Sequence, residues 1–269
     1  MFASHLRKPY YYHLHEIFIF MIGKAVVREI PNSYPGLYLP KGIHIDLDLA
    51  KQQHDIYIKA LQWLGLAVDL IPPDEKYPDC VFIEDTAVVH QNKALITNLG
   101  SDYRREEIVE IKRYFRETHK LFEMKSPALL EGGDVLVADN EVYVGISNVT
   151  NDLALGYLKL IFNSHKFISV PVTKVLHLKS ACSYIGKNTL LICEDLVKTD
   201  HFKRFDKILI PKEESYACNC IALNNKILVP EGAGKTIVMI KNKGFEIKTV
   251  PISEFMKGEG SLTCLSIIY

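Results

Sequence analysis

The sequence predicts an α/β fold made of five ββα-type units closed around a central axis. Three observations carry this prediction. Four segments share one strand–turn–strand pattern: "VFIEDTAVVHQNKALIT", "ALLEGGDVLVADNEVYV", "CSYIGKNTLLIC" and "CNCIALNNKILVP". Their turn asparagines, Asn92, Asn140, Asn188 and Asn225, recur at intervals of 48, 48 and 37 residues. Helical patterns fill the intervals, and self-similarity of this kind is the signature of a closed repeat architecture.

The elements follow in chain order. "KAVVREIP", opened by Met21, reads as a first strand, and "DLDLAKQQHDIYIKALQWLG" as the helix after it. Each asparagine-bearing segment reads as a β-hairpin, because asparagine tolerates the positive φ that tight turns require. "RREEIVEIKRYFRET" places Ile108, Ile111 and Phe115 on one helical face. "TNDLALGYLKLIF" reads as a helix with Thr150 or Asn151 as its cap. "EDLVKTDHFKRF" and "GAGKTIVMIKNKG" are weaker helical patterns. The last strand, "SLTCLSII", returns to complete the first unit and close the ring.

Composition narrows the functional classes. The chain has 269 residues, with 32 basic and 32 acidic side chains. No net field draws it to nucleic acid or to an anionic membrane. The six cysteines, Cys80, Cys182, Cys193, Cys218, Cys220 and Cys264, are scattered and form no zinc-type spacing. They read as reduced thiols of a cytoplasmic protein. "HEIFIFMIG" is too short to span a bilayer. Residues 1–20 read as an extension, with an early start codon as its source, and 21–269 as one catalytic domain.

A closed ring brings one strand of every unit to the axis. Those strands carry Asp79, Glu84 and Asp85, then Glu131 and Asp134, then His177, then Asn219, then Cys264. Acids inside a strand are costly unless paired or facing a cation. The glycines of "EGGDV" let another backbone or a ligand come close. Together these residues make a cysteine–histidine–carboxylate set beside an acidic pocket for a cation. That combination suits a thiolate nucleophile with a general acid/base oriented by a carboxylate.

At these residues the chain resembles the dimethylarginine dimethylaminohydrolase family of the guanidine-modifying (pentein) superfamily. The resemblance rests on "PDCVFIEDTAVV", "LEGGDVLV", "VPVTKVLHLKSACS" and "GEGSLTCLSII" and runs from about Ala25 to the C-terminus. It implies a five-bladed α/β propeller with its site in the central channel. It implies Cys264 as nucleophile, His177 as acid and then base, and Glu131 as the carboxylate that orients the histidine. Glu84 and Asp79 match acids that hold the guanidinium and neighbouring substrate atoms, and Asp85, beside them, is a further substrate-binding candidate. Leu39 matches a lid-loop residue, Gly258 a substrate-contacting one, and Arg104 an arginine at the amino-acid end. No cofactor or metal is implied, and the partner is a small guanidino compound, with the protein a monomer or homodimer. Lys179 stands where the deiminases of the superfamily carry an acid, which favours an alkylated guanidine. Val149 stands where the family has a carboxylate-binding arginine. That leaves open a guanidino or ureido substrate lacking the α-carboxylate, and a different class of reading, an inactive propeller serving as a binding module.

Overall fold

The computed structural model describes residues 23–37 and 39–269, so the expectation for residues 1–20 lies outside it. Among the described residues the chain forms five three-stranded sheets. The sheet formed by the two ends of the chain contains β1 (Gly23–Arg28), β2 (Leu66–Ile71) and β15 (Ser266–Ile268). The others are β3 (Ala87–His90), β4 (Lys93–Ile96) and β5 (Lys120–Glu123); then β6 (Val135–Ala138), β7 (Glu141–Ile146) and β8 (Lys166–Pro171); then β9 (Cys182–Gly186), β10 (Thr189–Ile192) and β11 (Asp206–Leu209); then β12 (Ile221–Leu223), β13 (Lys226–Pro230) and β14 (Glu246–Val250). In every sheet an antiparallel pair is extended by a parallel third strand.

A parallel strand needs a crossover. Four units supply it with a helix: α1 (Leu47–Trp63), α2 (Ile108–Arg116), α3 (Ala154–Ile161) and α4 (Gly234–Asn242). In the unit of β9–β11 the weak helical pattern yields only a 3-10 turn, Thr199–Phe202. A short helix α5 (Ser253–Lys257) precedes the last strand. The Ile111 and Phe115 stripe is fully buried, as its spacing requires.

Two local expectations are corrected. Positive φ falls on Gln91, Asp139 and Asn224, one position before the predicted asparagine, and on both Lys187 and Asn188 in the remaining turn. The asparagines have another task. The carbonyls of Asn92, Asn140, Asn188 and Asn225 accept backbone hydrogen bonds from Lys120, Lys166, Asp206 and Glu246, at the start of each third strand. Each turn thereby docks the strand that completes its own sheet. Neither Thr150 nor Asn151 caps α3 with its side chain, because Thr150 Oγ1 accepts from the Glu131 amide and Asn151 Oδ1 from the Leu129 amide.

The apolar core divides into five clusters, and each joins two neighbouring sheets. Alternation along the strands builds them. On β4, Ala94 and Ile96 face the β1 sheet while Leu95 faces the β6 sheet. The cluster containing Ala25, Val27, Ile221 and Leu228 joins the last unit to the first, so the ring closes. β3, β6, β9, β12 and β15 surround a channel of about 280 Å³, lined by residues of all five strands, including Ala87, Val135, Ser183, Ile221 and Ser266.

Candidate functional site

A 3-10 turn stands directly ahead of the axial strand in every unit. The residues predicted for the axial strands, Asp79 excepted, lie in or beside these turns, not within the strands. Glu84 and Asp85 sit in Ile83–Thr86, Glu131 just before Gly132–Asp134, His177 just before Leu178–Ser180, Asn219 just after Lys212–Cys218, and Cys264 in Thr263–Leu265. The turn geometry lets adjacent side chains point to different partners around the axis, which a strand, with its strict alternation, would not.

The histidine and its carboxylates are brought together. His177 Nε2 lies 2.6 Å from Glu131 Oε2 and 3.7 Å from Asp85 Oδ1. Glu131 is fixed by the Gly100 amide on its other oxygen, at 3.1 Å. Asp134 accepts from the Leu178 amide at 2.8 Å and from Ser147, anchoring the residue that follows the histidine. The glycines of "EGGDV" permit this crowding. A Cβ on Gly133 would sit 2.6 Å from His177 Cγ and Nδ1, and one on Gly132 would run into the Glu84 carbonyl. The Gly133 amide also donates to Asp85 Oδ1.

Electrostatics set the protonation states. Burial pulls the His177 pKa down, but Asp85, the hydrogen bond to Glu131, and Asp134 raise it to about 9 overall. The imidazole is therefore protonated at neutral pH. Burial pushes the Cys264 thiol up to about 12, with Glu84 and Asp85 adding to the effect. The free protein thus holds a neutral Cys264 thiol and a cationic His177.

Glu84 reaches the axis as well. Its Oε1 pairs with Lys179 Nζ at 2.5 Å, and its Oε2 accepts from Thr263 Oγ1 at 2.7 Å. Thr263 exchanges hydrogen bonds with Asn219, tying the turn that carries Cys264 to a neighbouring unit. Half-buried Cys264 borders a cavity of about 180 Å³ with Ser180, Tyr216, Asn219, Met256, Glu259, Gly260 and Ser261. Leu39, Asp79 and Gly258 are brought together at a smaller adjoining cavity with Leu37, Pro40, Tyr103, Lys257 and Glu259. Tyr103 donates to Asp79 at 2.8 Å.

Arg104 is placed differently from a surface ligand. It is buried, and donates to Glu107, Asp85 Oδ2 and the Phe82 carbonyl. Val149 packs on the Cα side of Gly100, where an added Cβ would lie 2.7 Å from it. Sequence reasoning missed Thr263, Gly100 and Glu107. The last had a signal, since it stands three residues after Arg104, a spacing at which charged side chains meet on a helical turn.

Asp85, Glu131 and His177 each offer one ligand atom within 4.8 Å of the others, the one such cluster among the described residues. The direct His177–Glu131 bond occupies the imidazole nitrogen that a metal would need. All six cysteines are free thiols, and no described helix is long and apolar enough to cross a membrane.

Comparison with known proteins agrees with this fold. The family model for "N,N dimethylarginine dimethylhydrolase, eukaryotic" matches residues 40–266. The N(G),N(G)-dimethylarginine dimethylaminohydrolase of Pseudomonas aeruginosa is 33% identical over 257 residues, covering 93% of this chain and 99% of that protein. The enzyme of the same name from Streptomyces coelicolor is 35% identical over 254 residues, covering 91% and 96%. The solved structure of the Pseudomonas aeruginosa protein, a cysteine-to-serine mutant complexed with citrulline, superposes with a TM-score of 0.85 at 32% identity, covering 93% of this chain and 100% of that one. The N-terminal domain of ArgZ, 18% identical with a TM-score of 0.83, shares the fold.

Proposed function

The chain belongs to the dimethylarginine dimethylaminohydrolase family, and on that premise we propose that it is a cysteine hydrolase that cleaves a C–N bond of a substituted guanidine, converting dimethylarginine to citrulline and dimethylamine. The single observation that carries this reading is the charged His177, hydrogen-bonded to Glu131 and facing Asp85, at the axis where the turn of Cys264 also ends.

The protonation states prescribe an order of events. A guanidinium entering between Glu84 and Asp85 brings the positive charge that the Cys264 thiol lacks, so substrate binding itself favours the thiolate, and the thiol proton leaves to solvent. Cys264 Sγ then attacks the guanidinium carbon. His177 gives its proton to the departing dimethylamine, leaving a thiouronium on sulfur. The now neutral His177 takes a proton from water, whose oxygen attacks the same carbon. The C–S bond breaks, citrulline leaves, and the thiol is restored. Glu131 holds the imidazole through both proton transfers, and general acid–base help of this kind is typically about 10²–10⁴-fold.

Under this reading Leu39, Asp79 and Gly258 border the entrance on the substrate's far end, with no cofactor or metal in the cycle. Residues 21–269 act as one catalytic domain in the cytoplasm, as monomer or homodimer. The test is release of citrulline and dimethylamine in equal amounts by the wild-type protein, with none by Cys264→Ser. A serine hydroxyl is far harder to ionise than a thiol. A tenth of normal turnover in that variant would rule out Cys264 as the nucleophile.

A further inference from the structure

We infer that Tyr57 is a positioning residue for Cys264, holding both flanks of the turn that carries it. The inference rests on the hydrolase reading above. Tyr57 lies on the inward face of α1 and is fully buried. Its partners stand 205 and 209 residues further along the chain. The phenol oxygen is 2.8 Å from the Leu262 carbonyl and 2.7 Å from Ser266 Oγ. These two residues flank the 3-10 turn Thr263–Leu265, one just before it and one just after. A single hydroxyl therefore spans the turn of Cys264 from end to end.

The chemistry of the three groups fixes the direction of both bonds. A carbonyl only accepts and a phenol carries one proton. Tyr57 therefore donates to Leu262, and the Ser266 hydroxyl donates back to the phenol oxygen. Burial outweighs the Ser266 hydrogen bond and raises the Tyr57 pKa, so the phenol keeps its proton. A 3-10 turn has poor internal hydrogen-bond geometry, so its orientation follows what it is fastened to. Thr263 is fastened to Glu84 and Asn219 around the axis. Ser266 opens β15, opposite Val27 of β1. Neither contact reaches the entry of the turn at Leu262, and Tyr57 does. Its surroundings are apolar side chains such as Leu61, Leu64 and Leu265. A buried polar group left without its partner is costly, so without the hydroxyl the turn shifts to satisfy the Leu262 carbonyl and Ser266. A misplacement of about 1 Å at a reacting atom costs on the order of 10²-fold in rate.

The test is Tyr57→Phe, which keeps the ring in the core and removes only the hydroxyl. With dimethylarginine, kcat falls about tenfold or more while KM stays within about threefold of wild type, because Asp79, Glu84 and Asp85 are unchanged. Ser266→Ala, which leaves the phenol on Leu262, loses less. The double variant loses no more than about threefold beyond Tyr57→Phe alone, since both changes break one chain of bonds. A Tyr57→Phe protein that melts earlier but keeps kcat within about twofold of wild type overturns the inference and leaves the phenol a core residue. A KM raised about tenfold with kcat retained overturns it as well. A turnover-free measurement separates this idea from the hydrolase reading: alkylation of Cys264 by 2-chloroacetamidine, followed by mass spectrometry. Sulfur bonds to the methylene carbon, chloride leaves, and the thiol proton goes to solvent. The reaction slows about tenfold in Tyr57→Phe, and an unchanged rate sinks the positioning role. A wild type that releases no citrulline, yet is alkylated faster than Tyr57→Phe by that factor, sinks only the hydrolase reading. If Tyr57→Phe fails to fold, both comparisons are read in Ser266→Ala, where values equal to wild type overturn the inference.

Discussion

Raising the pH from 6 to 10 should remove about 3 kcal/mol of folding stability through the one imidazole of His177. In the folded protein its pKa stands at about 9, against 6.5 for an exposed histidine. Burial works against the charge, and Asp85, Glu131 and Asp134 outweigh it. The folded state binds the proton more tightly than the unfolded chain, so the stabilisation is fully present below 6.5 and is lost as pH rises through 9. At ~1.36 kcal/mol per pH unit, the interval corresponds to ~3 kcal/mol. The side chain is 6% exposed, so salt screens the effect little. The assay is urea unfolding of wild type and His177→Asn at half-unit pH steps. Glu107, pushed by burial up to about 7, also titrates, but it is common to both proteins and cancels in the difference. The difference should be constant below pH 6.5 and shrink by about 3 kcal/mol by pH 10. Two curves that stay parallel within ~0.5 kcal/mol across that window would refute the reasoning.

His177→Asn should stall turnover before or at the covalent adduct, whereas Glu131→Gln should slow it less, since the carboxylate only orients the imidazole; rapid-quench trapping of the adduct with equal losses in the two variants would contradict that division. Gly133→Ala should cost about 1–3 kcal/mol of stability and most of the activity, because its Cβ would sit 2.6 Å from the His177 ring, whereas Gly156→Ala on α3, with open space around it, should be neutral or stabilising by thermal melt. Val149→Arg should lower KM for dimethylarginine by about tenfold or more, as a charge-assisted bond of roughly 1.5–3 kcal/mol would; a steady-state assay showing an unchanged or higher KM would mean that this position does not face the substrate's carboxylate.

The strand periodicity, the repeat and the helices of strong pattern were legible because each rests on local spacing. Ile111 and Phe115 are buried where their heptad-like spacing places them. The parallel third strands were not legible. "KLFE" and "DKIL" are four residues long and half-exposed, and they are strands only because a turn carbonyl and a neighbouring edge receive them. The turn asparagines illustrate the same limit. Their recurrence marked the hairpins correctly, but what the position does, offering its backbone carbonyl to the third strand, depends on a partner 18 to 28 residues away.

The same limit governs the site. Chemistry-bearing residues were visible as acids, a histidine and a cysteine at the start of each unit, and the ring supplied the reason they could meet. What a residue faces after meeting is set by its turn. Glu84 and Asp85 are neighbours in sequence, yet one pairs with Lys179 and Thr263 while the other faces His177 and Arg104. A strand would have sent one of them away from the axis. The 3-10 turn keeps both there with different partners. Asp85 raises the histidine's proton affinity, while burial, with Glu84 and then Asp85 adding to it, keeps the Cys264 thiol protonated. The five turns, more than the strands behind them, therefore determine the chemistry, and the strands determine only where the turns converge.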